Sequence, residues 1–122
     1  IQVAILSDKI LGAIELKPKR KFYDYEAKYN PNSKTEHIIP IKISKVNYNK
    51  VTKIALKAHK LLKCRGVSRS DFRFHDNKFY LLETNTQPGM TSLSLVPEIA
   101  RYQNISFAEL IEEIMRDASI NK

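Results

Sequence analysis

Glu83 and Asn85 stand two residues apart at the end of FYLLETN, a run that reads as a β-strand; a Pro-Gly break and the hydroxyls of Thr91, Ser92 and Ser94 follow. Alternate strand residues project to one face, so this carboxylate and amide point together. Oxygen donors on one face suit a hard cation such as magnesium, which keeps phosphate as a co-ligand. Gly89 lets the backbone approach a ligand closely, and the hydroxyls can donate to a carboxylate or phosphate. Upstream, RSDFRF is joined to FYLLETN through His75-Asp76-Asn77-Lys78, which predicts a β-hairpin with a polar turn. A turn centred near Asp76 and Asn77 sets Asp71 almost opposite Leu82 and Glu83. A small register adjustment or bulge at the turn then brings Asp71, Glu83 and Asn85 onto one surface with Arg69 beside them. Oxygen ligands plus a guanidinium compose a metal–nucleotide site. The plainer alternative is a solvated polar hairpin face, with Arg69 paired to Asp71 and Ser94 acting as a helix cap.

RGVSRSDFRF…FYLLETNTQPGMTSLSLVPEIAR resembles the C-terminal part of D-alanine–D-alanine ligases, an ATP-grasp family, and FYDYEAKY (Phe22 to Tyr29) is similar to the loop that folds over their active site. The D…E-x-N pattern belongs to the wider ATP-grasp superfamily; the loop and NTQPGMTSLSLVP narrow the resemblance to this family. It covers nearly the whole chain, with Asn30 to Asn49 least informative. The fold it implies is α+β: residues 1–122 form the C-terminal part of an ATP-grasp domain, a mostly antiparallel sheet with flanking helices. The N-terminal domain and the first half of the ATP-grasp domain are expected outside this chain, with the adenine hinge, the nucleotide-clamping lysines and the first D-alanine site.

The activity implied by the resemblance is ATP-dependent ligation of two D-alanines, for peptidoglycan precursors in the cytoplasm. ATP phosphorylates one D-alanine carboxylate, and the amine of the second attacks the acyl phosphate. Asp71, Glu83 and Asn85 match the family's ligands for two magnesium ions, with manganese as a substitute. Arg69 and the N–H of Gly89 match groups that stabilise the tetrahedral oxyanion. Lys28 matches a lysine reaching the terminal phosphate. Tyr29 matches the tyrosine associated with D-alanine, where a D-alanine–D-lactate ligase carries histidine. Ser94 and the N–H of Leu95 match the site for the second substrate's carboxylate. A homodimer of the full enzyme is compatible with the resemblance, and the 122 residues alone are expected to be inactive.

The chain is 43% hydrophobic and 28% charged, a globular composition. A single cysteine, Cys64, excludes an internal disulfide and fits a reducing compartment. No apolar run is long enough to span a membrane. The net charge of +8 invites a nucleic-acid reading, a basic binding module being the alternative from another class. Against it, Asp24 and Glu26 interrupt the basic-aromatic stretch KPKRKFYDYEAKYN, and no nucleic-acid motif is present. A positive field equally suits ATP and small carboxylates. His37, His59 and His75 are far apart and lack metal-ligand spacing.

These residues need elements to position them. Gln2–Leu6 and Leu11–Leu16 read as strands around the turn Ser7-Asp8-Lys9. The opening IQVAILSDK resembles the middle of a strand of a larger protein, so these strands are expected to be bare edges, with apolar surface exposed near Val3, Ile5 and Leu11. Tyr23 to Tyr29 reads as a loop and His37 to Pro40 as extended chain. Lys45 to Lys63 reads as a helix with Val46, Val51, Ile54, Ala55, Ala58, Leu61 and Leu62 on its apolar face, stopped by Gly66. Val96 to Tyr102 predicts a short helix with Pro97 in its first turn. Ser106 and Glu109 form a capping box for a last helix, whose stripe Phe107, Leu110, Ile111, Ile114, Met115 and Ala118 is expected to dock on the sheet.

Overall fold

The computed structural model describes residues 1–18 and 35–120. The described residues form strands β1 (Gln2–Leu6), β2 (Lys9–Pro18), β3 (Thr35–Ile38), β4 (Val67–His75) and β5 (Lys78–Asn85), and helices α1 (Lys45–Leu61), α2 (Leu95–Tyr102) and α3 (Phe107–Asp117). One antiparallel sheet runs in the order β3-β2-β1-β4-β5, the α+β architecture expected.

Both hairpins close through two residues with positive φ. Ser7 and Asp8 link β1 to β2, and Asp76 and Asn77 link β4 to β5. Such turns match the right-handed twist of the strands they join. They set registers that give the sheet two distinct faces. Val3, Ile5, Ala13 and Phe72 pack under α1 with Ile41, Val51 and Ala55. Ala4, Leu6, Ile14 and Val67 pack on the other face against Leu95, Val96, Ile99 and Ala100 of α2 and Leu110 of α3. Ile5, Ile14, Ile99 and Leu110 are fully buried, each stabilising by about 1.5–3 kcal/mol. Gly12 is required by this packing, because a Cβ there would lie 2.8 Å from Cγ2 of Ile99.

β1 is a central strand, and this overturns the expectation of bare opening edges. It pairs with β2 on one side and with β4 on the other, so that among the described residues β3 and β5 are the sheet's outer strands. Val3, Ile5 and Leu11 are buried. Helix α1 also differs from its predicted form. It ends at Leu61, with Lys63 in the left-handed region just past its end, and Gly66, also at positive φ, follows three residues later. Val46 and Leu61 of the expected stripe are 76% and 72% exposed, and Leu62 is exposed as well. The buried side is Val51, Thr52, Ala55 and His59, an i, i+4 row that admits polar residues because each finds a partner. Thr52 Oγ1 donates to the Tyr48 carbonyl at 2.9 Å, and His59 Nδ1 meets Ser68 Oγ of β4 at 2.7 Å.

Helix α3 starts at the expected capping box: Ser106 Oγ accepts from Glu109 N and Glu109 Oε1 from Ser106 N, both at 3.1 Å. Hydrogen bonding from Ser106, its backbone N–H first, holds the Glu109 carboxyl below its ordinary pKa. Its stripe divides. Leu110 is buried and Ile114 packs on the core, while Phe107 and Met115 remain exposed.

Candidate active site

The β4–β5 pairing builds the site. Arg69 pairs with Asn85 and Asp71 with Glu83; the register then shifts, so that Phe72 faces Leu81 and Leu82 is the extra residue. The bulge expected at the turn therefore lies beside the carboxylates. Without it, the two-residue turn would set Asp71 opposite Leu82 and turn Glu83 to the other face. Directly opposed residues of an antiparallel pair share a face, so Arg69, Asp71, Glu83 and Asn85 form one polar tile. Across β1 the rows extend to Gln2 beside Asp71 and Ala4 beside Arg69.

Arg69 is anchored within this tile. Its side chain is 9% exposed, with Nε donating to Asp71 Oδ1 at 2.9 Å and Nη2 to Asp71 Oδ2 at 3.2 Å. Nη2 also lies 3.9 Å from Glu83 Oε1. The plain salt-bridge alternative for Arg69 is thus realised, and it leaves room for chemistry. A carboxylate offers about four lone-pair positions, of which Arg69 engages part at Asp71. The Glu83 side chain is 58% exposed. Asn85 Oδ1 accepts from Gln87 N at 2.8 Å, which turns the chain out of β5 and keeps a second lone pair on that oxygen. Among the described residues no group of three or more His, Cys, Asp or Glu could hold a metal; the donor set here is two carboxylates and one amide oxygen. That set fits a hard cation sharing its coordination with phosphate and water.

The loop after β5 carries the second group of expected residues. A Cβ on Gly89 would lie 2.8 Å from Ser94 Oγ, so a side chain there would displace that hydroxyl. Ser94 occupies the N-cap position of α2 without making a side-chain cap bond. Its Oγ instead accepts from Thr91 N at 2.9 Å and meets Thr91 Oγ1 at 2.8 Å. Leu95 opens the helix, where backbone N–H groups lack intrahelical acceptors and favour an anion. Lys28 and Tyr29 lie outside the described residues.

Gln2 heads the otherwise apolar run QVAIL, and its place beside Asp71 in the sheet depends on a pairing distant in sequence.

A five-stranded antiparallel sheet that gathers acidic and amide oxygens beside a guanidinium, with helices packed on both faces, defines the class: the C-terminal portion of an ATP-grasp domain, the fold of its structural neighbours. The chain matches the D-alanine–D-alanine ligase of Bacillus anthracis complexed with ATP with a TM-score of 0.78 at 33% identity, over 95% of this chain and 38% of that one. It matches the VanG D-Ala:D-Ser ligase of Enterococcus faecalis with a TM-score of 0.74 at 25% identity, over 94% and 34%. The D-alanine–D-alanine ligase of Pelagibacter ubique is 66% identical over 122 residues, which is all of this chain and 40% of that protein. The Rickettsia bellii ligase is 48% identical over 98% of this chain and 38% of its own length. The family profile described as D-ala D-ala ligase C-terminus matches residues 1–116, and the chain belongs to that family. It spans about 40% of the length of the curated relatives it matches.

Proposed function

We propose that residues 1–122 form the C-terminal part of the ATP-grasp domain of a cytoplasmic enzyme that joins two D-alanines at the expense of ATP, for cell-wall precursors. The observation that carries the reading is the in-register tile of Arg69, Asp71, Glu83 and Asn85 in a chain of this family. Asp71, Glu83 and Asn85 hold two magnesium ions; when bound, these supply charge neutralisation to the phosphate oxygens of ATP. Arg69, fixed by its two bonds to Asp71, directs its remaining N–H groups at the oxyanion formed when an amine attacks an acyl phosphate. The N–H of Gly89 serves the same oxygen. Ser94 Oγ and the N–H of Leu95 hold the carboxylate of the second D-alanine at the positive end of α2. Lys28 binds the terminal phosphate, and Tyr29 favours an amine nucleophile over a hydroxyl.

Phosphate release by the full-length enzyme carrying this chain tests the reading. It should require ATP, magnesium and D-alanine together, with a D-alanyl dipeptide as product. Release supported equally by D-lactate or D-serine as second substrate would overturn the D-alanine assignment.

A further inference from the structure

Ser94 Oγ is engaged from one side by Thr91. The turn 91–94 is closed by the Ser94 N–H, which donates to the Thr91 carbonyl at 3.1 Å. The Thr91 N–H donates to Ser94 Oγ at 2.9 Å, the two hydroxyl oxygens lie 2.8 Å apart, and Thr91 Oγ1 accepts from Leu93 N at 3.3 Å. Among the described residues, a Cβ on Gly89 would meet only Ser94 within 4 Å, its chain neighbours aside. The side of Oγ that faces Gly89 is therefore open to a ligand. A hydroxyl has one proton and two lone pairs, so the bond between the two hydroxyls can run in either direction, and the ligand decides which. A carboxylate carries no proton, so Ser94 serves it only by donating. Thr91 O–H must then donate to Ser94 Oγ, which fills both Ser94 lone pairs and leaves its proton for the carboxylate.

We infer that Thr91 is a positioning residue of the site for the second substrate's carboxylate: its hydroxyl and N–H saturate the lone pairs of Ser94 Oγ and so fix that hydroxyl as a donor. The inference rests on the reading of Ser94 as the holder of the second D-alanine. Linked hydroxyls polarise one another, so a Ser94 proton backed by Thr91 is the stronger donor. Thr91 is exposed, while Ser94 is only 8% exposed, so the Thr91 side chain can be changed with little effect on stability.

The experiment measures D-alanine-dependent phosphate release by the full-length enzyme and resolves the KM for the second D-alanine, the KM for ATP and kcat. Thr91→Val removes the hydroxyl at similar size and keeps the backbone N–H. It should raise the KM for the second D-alanine about 5–10-fold, the contribution of one neutral hydrogen bond. The ATP KM, kcat and melting temperature should stay close to those of the unaltered enzyme. Thr91→Ser, which keeps the hydroxyl, should recover the original KM. In a Ser94→Ala background Thr91→Val should have no further effect, because the group it orients is gone. An unchanged KM in Thr91→Val beside a raised one in Ser94→Ala would overturn the role of Thr91 and leave the site reading standing. An unchanged KM in both would overturn the site reading itself. Equal losses from Thr91→Val with and without the Ser94 hydroxyl would mean that Thr91 acts on something other than Ser94. A raised KM with a lowered melting temperature that serine fails to recover would make Thr91 purely structural, and either result overturns the inference.

Discussion

Replacing Arg69 by alanine separates the structural use of this side chain from its chemical one. The guanidinium is nearly buried and makes two bonds to Asp71, at 2.9 and 3.2 Å, while the Asp71 side chain is itself only 15% exposed. Removing one partner of a buried ion pair costs about 3–5 kcal/mol, because the remaining charge is stranded. Asp71 sits at the margin of the sheet core where water can enter, so the lower end applies, about 3 kcal/mol. Against a total of about 5–15 kcal/mol, that loss is large and leaves a folded protein at moderate temperature. Turnover should fall further, by roughly 10²–10³-fold for loss of a directed oxyanion donor. The assay pairs urea unfolding with D-alanine-dependent phosphate release at a temperature where the unfolding data show the variant to be folded. Arg69→Lys is the control: it should recover much of the stability and little of the rate, since a point charge lacks the planar fork. A folded Arg69→Ala enzyme at normal rate would reduce Arg69 to a strut for Asp71, and full recovery by lysine would make it a general charge.

Gly89→Ala should raise the KM for the second D-alanine about 10-fold, the equivalent of losing one hydrogen bond at Ser94, because the added Cβ would lie 2.8 Å from Ser94 Oγ; an unchanged KM would show that Ser94 does not hold this substrate. His37 Nδ1 lies 2.7 Å from Glu98 Oε1, linking β3 to α2, and that bond raises the His37 pKa despite partial burial. A raised folded-state pKa contributes stability that is fully present below the ordinary value of about 6.5 and is lost as pH rises through the folded value. Urea midpoints should accordingly fall as pH rises above that value, and His37→Gln should flatten this segment of the profile; an unaltered profile would refute the link. Tyr29→Phe should loosen discrimination between D-alanine and D-lactate, measured as the ratio of kcat/KM; unchanged selectivity at unchanged rate would leave Tyr29 as a lid residue only.

The site was legible where its logic is local. Alternation along RSDFRF and FYLLETN, with Asp-Asn between, determines a hairpin, and Glu83 and Asn85 share a face by strand geometry alone. The bulge was foreseeable because Asp71 and Glu83 fall one residue out of register, although it occurs at Leu82 rather than in the turn. Non-local pairing was hidden. Nothing within Gln2–Leu6 discloses that β4, some sixty residues on, will flank it and bury Val3 and Ile5. The same limit applies to α1, where His59 is buried because Ser68 waits beneath it, while Val46, Leu61 and Leu62 find no sheet to cover. The plainer alternative for Ser94, a helix cap, is not realised: a cap bond would turn its hydroxyl into the helix, and Thr91 holds it in the loop beside Gly89 instead.

The central claim is that the β4–β5 tile holds the metal on which ligation depends. A magnesium titration of D-alanine-dependent phosphate release, run on the full-length enzyme and on its Glu83→Gln variant, tests it most directly. Glu83 is 58% exposed and its contact with Arg69 is a long 3.9 Å, so the substitution should leave the urea midpoint nearly unchanged, an exposed pair contributing only about 0–1 kcal/mol. Loss of a charged oxygen ligand should nevertheless move the magnesium requirement to much higher concentration and lower the maximal rate. A variant with the magnesium dependence and rate of the unaltered enzyme would contradict the account.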